Sequence, residues 1–490
     1  MIRGAGRSVA CLALVLAGVG TSLGQEPDRS GPPELGPPPR LDLPDIQRFS
    51  LPNGLPVLLM ESHRVPVVEV ALVIRVGAVD EPAGKAGLAS MTAAMLDEGA
   101  GTRTALEIAD AVDFLGASLQ TTSDYHATVV TLHAPLSKLA DALPIFADVA
   151  LRPTFPDEEL ERLRAERLTT LLQWRDEPRA IAAVAFAAAL YGTGHPYGQP
   201  TLGTATSVAG LASQDLRDFH ARAHPGMATL IVVGAVTRAA VEPLLAAALG
   251  DWSPGTASAG RLLPAPQVEV REIWIVDKPG AAQSEIRIGR IGAERVTEDY
   301  HEIVVMNTIL GGSFTSRLNQ ILREERGYTY GAFSGFDFRP AGGPFVAQAA
   351  IQTAVTDSAL AVFLREISTI LERVPDAELQ RAKNYTAFGY PQSFETVAAT
   401  ADAMTEIALY DLPLDTLDRL IDEILAVTAE DVERVARKYL DPERVAIVVV
   451  GDRLVIEPGI RALNLGTVHT MTITDVLGPA PQLDEGQTRR

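Results

Sequence analysis

The feature that most constrains this chain is that it is written twice. The apolar run ATLIVVGAV contains Gly234 and the run VAIVVVGD contains Gly451, 217 residues later, while Leu96 and Leu310, each in a helix-forming run, lie 214 apart. Solenoid repeats have periods of roughly 20–50 residues, so a period this long means a duplicated domain. In the first copy, periodicity predicts a strand at 67–76, a helix at 87–96 and a helix at 104–116, followed by paired strands at 117–125 and 127–135. Long helices then run to Tyr191, followed by the turn HPYGQPTLG, a helix at 213–224, a buried strand at 228–236 and a closing helix. The second copy replays this order from the strand EIRIGRIG to the strand VAIVVVGD. Strands in hairpin-like pairs and helices in blocks predict an α+β class with two homologous domains, each a mostly antiparallel sheet packed with helices.

The two copies are expected at 45–252 and 268–475, joined by the linker SPGTASAGRLLPAPQ at 253–267. A Pro-rich arm at 25–44 precedes them and a tail at 476–490 follows. Arg3 and Arg7, the apolar VACLALVLAGVG, and the small residues Ser22 and Gly24 predict a secretory signal peptide at 1–24. Its removal takes away two arginines and no acid, moving the formal charge from −20 to −22, which argues against nucleic acid as a partner. Cys11, the single cysteine, falls inside the signal, so the exported chain is expected to have no disulfide and to reside in the periplasm or be secreted. No later segment offers about 18 uncharged apolar residues, so no membrane span is expected.

Chemistry is hard to find in the first copy. Its opening stretch, GKAGLASMTAAMLDEGA at 84–100, forms a helix of small residues with no metal ligand. His220 and His224 are four apart in a predicted helix and could share a metal, but no third ligand accompanies them, and a solvated helix explains them as well. His126 and His133 bracket a strand at odd spacing, on opposite faces, and cannot converge on one ion. Neither a nucleophile elbow nor a phosphate-binding loop occurs.

The run GAVDEPAGKAGLASMTAAMLDEGA, the later HPYGQPTLG, the strand ATLIVVGAV and the second-copy LGGSFTSRLNQILREERGYTYGAFS together resemble the pitrilysin/insulinase class of zinc peptidases, over roughly Phe49 to Asp452. Mitochondrial processing peptidase and the cytochrome bc1 core subunits share that class. The resemblance implies two α+β domains forming a clam-like cleft, and an opening helix that in active members carries H-x-x-E-H. Two histidines four apart then hold zinc, a glutamate beside the second activates the bound water, and a third ligand comes about 75 residues later. The resemblance puts the two histidines at Ser90 and Ala94 and the base at Ala93, so none of the three is present here. The third ligand falls near Thr169 to Leu171, where no carboxylate occurs. His195 of the HPYG turn is implied to be structural.

In the second copy, REERGYTYG resembles the segment in which an Arg and a Tyr face the zinc across the cleft, here Arg326 and Tyr330. A guanidinium and a phenol are fixed donors suited to a substrate carbonyl as it develops negative charge. From local pattern alone, Arg326 reads first as a helix C-terminal charge beside Gly327 and Tyr330 as a packed strand residue, and the order of LGGSFTSRLNQILREERGYTYG in the resemblance reverses that. Gly311 and Gly312 read as a turn between helices near the cleft.

The resemblance therefore implies a chain that is inactive alone and binds no cofactor, a subunit of a heteromeric zinc metalloendopeptidase whose zinc sits on a homologous H-x-x-E-H partner. Its substrate would be a peptide or an unfolded protein. The alternatives are a non-catalytic assembly subunit resembling the bc1 core proteins, and a peptide-binding clamp.

Overall fold

The two copies fold around two six-stranded sheets. The computed structural model describes residues 36–38, 40–256, 262 and 264–482. The expected signal peptide, most of the Pro-rich arm and the end of the tail lie outside them.

The first sheet uses β1 (Gln47–Ser50), β2 (Pro56–Glu61), β3 (Val67–Ile74), β4 (Ser118–Ser123), β5 (Thr128–Pro135) and β6 (Ala228–Gly234), in the order β1-β2-β6-β3-β5-β4. Only the β2/β6 pair is parallel. The second uses β7 (Glu272–Asp277), β8 (Gln283–Ile291), β9 (Ala332–Phe336), β10 (Pro344–Gln352), β11 (Ala446–Gly451) and β12 (Thr467–Met471), in the order β9-β10-β8-β11-β7-β12. Five strands thus occupy equivalent places in the two copies, β4 with β9, β5 with β10, β3 with β8, β6 with β11 and β2 with β7. The sixth differs. In the first sheet it is β1, which precedes β2 and pairs with it antiparallel, whereas in the second it is β12, which arrives from the end of the chain and pairs with β7 in parallel. Periodicity alone missed β1, β2, β7 and β12.

The helices used below are α1 (Leu88–Ala94), α2 (Asp157–Trp174), α3 (Pro178–Tyr191), α4 (Tyr300–Asn307), α5 (Asp376–Gly389) and α6 (Val397–Tyr410). The long apolar segment ending at Tyr191 is two helices, α2 and α3, because Pro178 cannot continue the first and is accommodated at the first turn of the second. In the second copy the counterpart of α1 is α4, followed by a wider π turn at Thr308–Gly312. The helix expected at 213–224 stops at His220.

The central strands β6 and β11 are buried along nearly their whole length and show no polar alternation. Such a run needs cover on both faces of the sheet. One face of each sheet packs on its own copy's helices. The other face is covered by a helix of the opposite copy. Leu58, Met60, Ala71, Val73, Ile231 and Val233 of the first sheet pack with Val397, Ala401, Met404, Ile407 and Ala408 of α6. Reciprocally, Val276, Ala446, Val448 and Val450 of the second sheet pack with Ile181, Ala182, Ala185, Phe186 and Leu190 of α3. At Gly289 of β8 a side chain would meet the Phe186 ring at 2.9 Å and the Phe345 carbonyl oxygen at 1.9 Å, so this approach requires glycine. Arg75 fastens the end of α6, donating from Nη1 to Asp411 at 2.9 Å and from Nη2 to the Ala408 carbonyl at 2.5 Å.

Burial of apolar area, more than the charge at its rim, should hold the two copies together. Met404 is fully buried, so Met404→Ala is expected to cost about 2–5 kcal/mol. Arg75→Ala is expected to cost under about 1 kcal/mol, because Asp411 is largely exposed. Urea-unfolding midpoints of the two variants give the comparison, and equal losses would contradict it.

Candidate functional site

The helix α1 begins on Gly87, whose φ of 90° is a left-handed conformation that favours glycine. A side chain there would also strike the Leu202 carbonyl oxygen at 2.7 Å and Gly203 Cα at 2.8 Å. The helix is thereby seated directly on the loop that follows the HPYG turn. Ala89 and Ala93 are 1% exposed, so these small residues are packing contacts.

Ser90 lies on the face of α1 turned toward α2. Its hydroxyl donates to the Thr201 carbonyl at 2.6 Å and accepts from Arg167 Nη1 at 3.0 Å. The same guanidinium donates to the carbonyls of Gly87 at 3.1 Å and Ser90 at 3.2 Å. Arg167 thus reaches from α2 to α1 beside one of the positions that the resemblance gives to a zinc ligand. Burial pushes its guanidinium down to about 10, still charged at neutral pH, and Glu81 opposes that shift. Glu81 accepts from the backbone N–H groups of Ala89 at 2.8 Å and Gly87 at 3.2 Å. Burial pushes its carboxyl up to about 7, against those hydrogen bonds and the charge of Arg167.

Ala94 follows Ser90 by one turn on the same face and offers no donor atom to a metal. The hydroxyls of Thr169 and Thr170 turn back to the carbonyls of Ala165 and Glu166 on their own helix, at 2.8 and 3.1 Å, and Leu171 is buried. Among the described residues no group of three or more His, Cys, Asp or Glu side chains is arranged to hold a metal ion. A zinc ion does not fit this arrangement, because the side chain reaching into the junction is a cation that carries only hydrogen-bond donors. Arg167 heads the segment RLTTLLQW, in a helix so rich in Arg and Glu that the sequence gives no sign of its part here.

The histidines stand apart. His220 Nε2 lies 3.0 Å from the Ala150 carbonyl and its ring meets Phe155 edge-on, while His224 is buried and accepts from the Gly226 N–H at 3.2 Å. Because the helix ends between them they share neither a face nor a ligand, and the expected solvated helix is corrected to a partly buried end. His133 pairs with Glu69 at 2.7 Å. His126 Nε2 lies 2.5 Å from the Tyr197 hydroxyl. His195 accepts from the Tyr197 N–H at 3.1 Å and stacks on Tyr191, whose hydroxyl donates to Gly342 of the second copy at 3.1 Å. Arg339, also of the second copy, lies over the rings of Tyr125 and Tyr197 at 4.3 and 4.5 Å. The HPYG turn is therefore part of the joint between copies.

In the second copy, α4 and the π turn press against the edge strand β9. A side chain at Gly311 would lie 2.4 Å from the Ser334 nitrogen, which explains the glycine. Asn307 donates to the Ser334 carbonyl at 3.1 Å and Asn319 accepts from the Ala332 N–H at 3.2 Å, so side chains satisfy part of that edge. Arg326 ends a second π turn, Gln320–Glu325, and is exposed. Tyr330 precedes β9 and is 92% exposed, the most exposed of the large apolar and aromatic side chains described. Phe314 and Phe333, also exposed, belong to the same region, where Arg323 stacks 4.4 Å above the Phe314 ring and pairs with Glu324. Arg323 is a second guanidinium of this segment that the motif reading passed over.

Residues 56–205 match the insulinase family (peptidase family M16), and residues 210–386 match the peptidase M16 inactive domain. This chain belongs to the insulinase family. Among its M16 relatives, an uncharacterized zinc protease of Mycobacterium leprae is 27% identical over 415 residues, 83% of this chain and 92% of the relative. An uncharacterized zinc protease of Bacillus subtilis is 25% identical over 404 residues, 80% of this chain and 95% of the relative. The crystal structure of a peptidase M16 inactive domain from Pseudomonas fluorescens superposes with a TM-score of 0.78 at 28% identity, covering 83% of this chain and 98% of that one. A protease from Helicobacter pylori shares the M16 fold with a TM-score of 0.76 at 20% identity. Among the described residues no helix is long and apolar enough to cross a membrane.

Glu81 gives this junction a pH signature. The unfolded chain ionises Glu81 near 4.5 and the folded chain near 7, so the folded state binds the extra proton between those values. The stability this group contributes is therefore full below about 4.5 and is lost as pH rises through about 7. The Glu81→Gln variant is expected to gain stability relative to the natural chain over that window, read from urea midpoints at a series of pH values. A difference that does not change with pH would contradict the assignment.

Proposed function

We propose that this chain is the non-zinc-binding, substrate-binding subunit of a heteromeric metallopeptidase of the periplasm or secreted space. In this reading a homologous partner bearing H-x-x-E-H holds the zinc, and the present chain supplies Arg326 and Tyr330 to the cleft between the two. The observation that carries the proposal is the contrast between the copies. The first has Ser90, Ala93 and Ala94 where ligands and base would stand, with Arg167 bonded to Ser90, while the second presents Tyr330 almost wholly to solvent beside the exposed Arg326.

The chemistry follows from the side chains. An extended substrate needs donors for its backbone carbonyls, and the scissile carbonyl needs them most as it becomes an oxyanion. A phenol is a neutral donor and a guanidinium a permanent one, so both could stay fixed on the substrate backbone while zinc, held by the partner, would supply the hydrolytic chemistry. The name of the Pseudomonas fluorescens neighbour, an inactive domain, and those of the mycobacterial and Bacillus relatives, zinc proteases, support a chain descended from peptidases and placed on the non-catalytic side of a pair.

The test is to combine this chain with a homologous exported chain that carries H-x-x-E-H and to follow hydrolysis of an unstructured peptide. Activity is expected from the mixture and not from this chain alone. Arg326→Ala or Tyr330→Phe is expected to lower turnover by roughly 10²-fold or more with assembly intact, because each removes one donor. Arg323→Ala is the control for the second guanidinium. A loss there with turnover intact in Arg326→Ala would move the role to Arg323, and unchanged turnover in all three variants would refute the reading.

A further inference from the structure

The junction between α1 and α2 is tied, not merely stripped of ligands. Three acceptors on or next to α1, the Gly87 carbonyl, the Ser90 carbonyl and the Ser90 hydroxyl, converge on one guanidinium within 3.0–3.2 Å. The Ser90 hydroxyl passes the link on to Thr201, in the loop against which Gly87 is packed. On the other side, Glu81 holds the free N–H groups of the first turn of α1 and supplies the nearby negative charge. The result is a cationic centre bridging two helices and a loop. A metal ion in a zinc peptidase bridges its ligand helices in the same way, through a positive charge with several fixed contacts.

We infer that Arg167 is a resident cation that has taken over the metal's structural task at this junction, and that its guanidinium, not only the absence of ligands, keeps zinc out of this chain. The inference rests on the reading that places ligand positions at Ser90, Ala94 and near Thr170. Restoring those ligands would aim two imidazoles and a carboxylate at a site where a charged guanidinium is already hydrogen-bonded. Electrostatic repulsion and occupied volume then both oppose a divalent cation. Conversely, removing Arg167 from the natural chain leaves the Ser90 hydroxyl and two helix-start carbonyls without their shared donor, so the first turn of α1 and the loop at 199–203 should open more readily.

The experiment compares two full-length variants, Ser90→His/Ala94→His/Thr170→Glu with Arg167 kept, and the same three changes with Arg167→Ala. After loading with zinc and exhaustive dialysis, the variant lacking Arg167 is expected to retain at least about 10-fold more metal per chain. Cobalt, substituted for zinc, should give a tetrahedral absorption band only there. Equal retention in both variants, or none in either, would overturn the exclusion role. In the natural background, Arg167→Ala is expected to speed amide hydrogen exchange at 87–94 and 199–203 by about 10-fold or more, with the sheets unaffected. Should that variant fail to fold, Arg167→Lys keeps the charge but has one ammonium head in place of the planar fork, and the same segments are compared. Unchanged exchange there would overturn the structural role. None of these readouts involves a partner chain or turnover, so they stand apart from the fate of the Arg326/Tyr330 reading.

Discussion

Each sheet buries its second face under a helix that belongs to the other copy, and most of the remaining architecture follows from that exchange. A strand such as β6, buried along nearly its whole length, cannot exist at a solvent-facing sheet surface. Its sequence therefore already demands a second layer, and α6 supplies it from more than 150 residues away. Each large apolar side chain in such an interface contributes about 1.5–3 kcal/mol relative to exposure. The polar link at its margin, Arg75 to Asp411, involves a largely exposed carboxylate and serves orientation more than stability. The buried aromatic joint of Tyr191, Tyr197 and His126 with Arg339 adds a second, more polar anchor between the copies.

This interlock leaves the first copy's opening helix to be held by protein contacts alone. The helix α1 is held by backbone contact at Gly87, by buried alanines, and by Arg167, none of which requires a metal. Hydrogen bonds to a charged donor contribute about 1.5–3 kcal/mol each. Arg167 makes its bonds at a cost, because its charge is desolvated and the nearby carboxylate of Glu81 is itself driven toward the protonated form. A buried charge with three acceptors and a nearby counter-charge is tolerable; a buried charge with none would not be.

The second copy resolves the same geometric problem differently. At its equivalent helix the chain widens into π turns and sends Asn307 and Asn319 to an edge strand, so that β9 is partly closed to pairing with another chain. What remains presented is side-chain chemistry. Tyr330, Phe314 and Phe333 are exposed with Arg323 and Arg326 nearby, and aromatic and arginine side chains are the types that dominate binding hot spots. The asymmetry between the copies, one closed on a resident cation and one open with donors, is the physical content of the functional reading.

The duplication, the α+β class, the principal helices and the apolar central strands were legible in the sequence, because period and hydrophobic pattern are local quantities. That Ser90, Ala93 and Ala94, the positions the resemblance gives to ligands and base, carry no imidazole or carboxylate is read from the sequence directly. The outer strands β1 and β12 were not, because a strand of four or five residues carries too little pattern and is defined only by the neighbour it pairs with. The exchange of α3 and α6 was also hidden, since an apolar helix face does not name the sheet it will cover. Most plainly, Arg167 reads in the sequence as one more charged residue of a helix rich in Arg and Glu. Only the tertiary structure sets it against Gly87 and Ser90, about 80 residues earlier, because which acceptors a long side chain satisfies depends on how two helices pack and not on either helix alone.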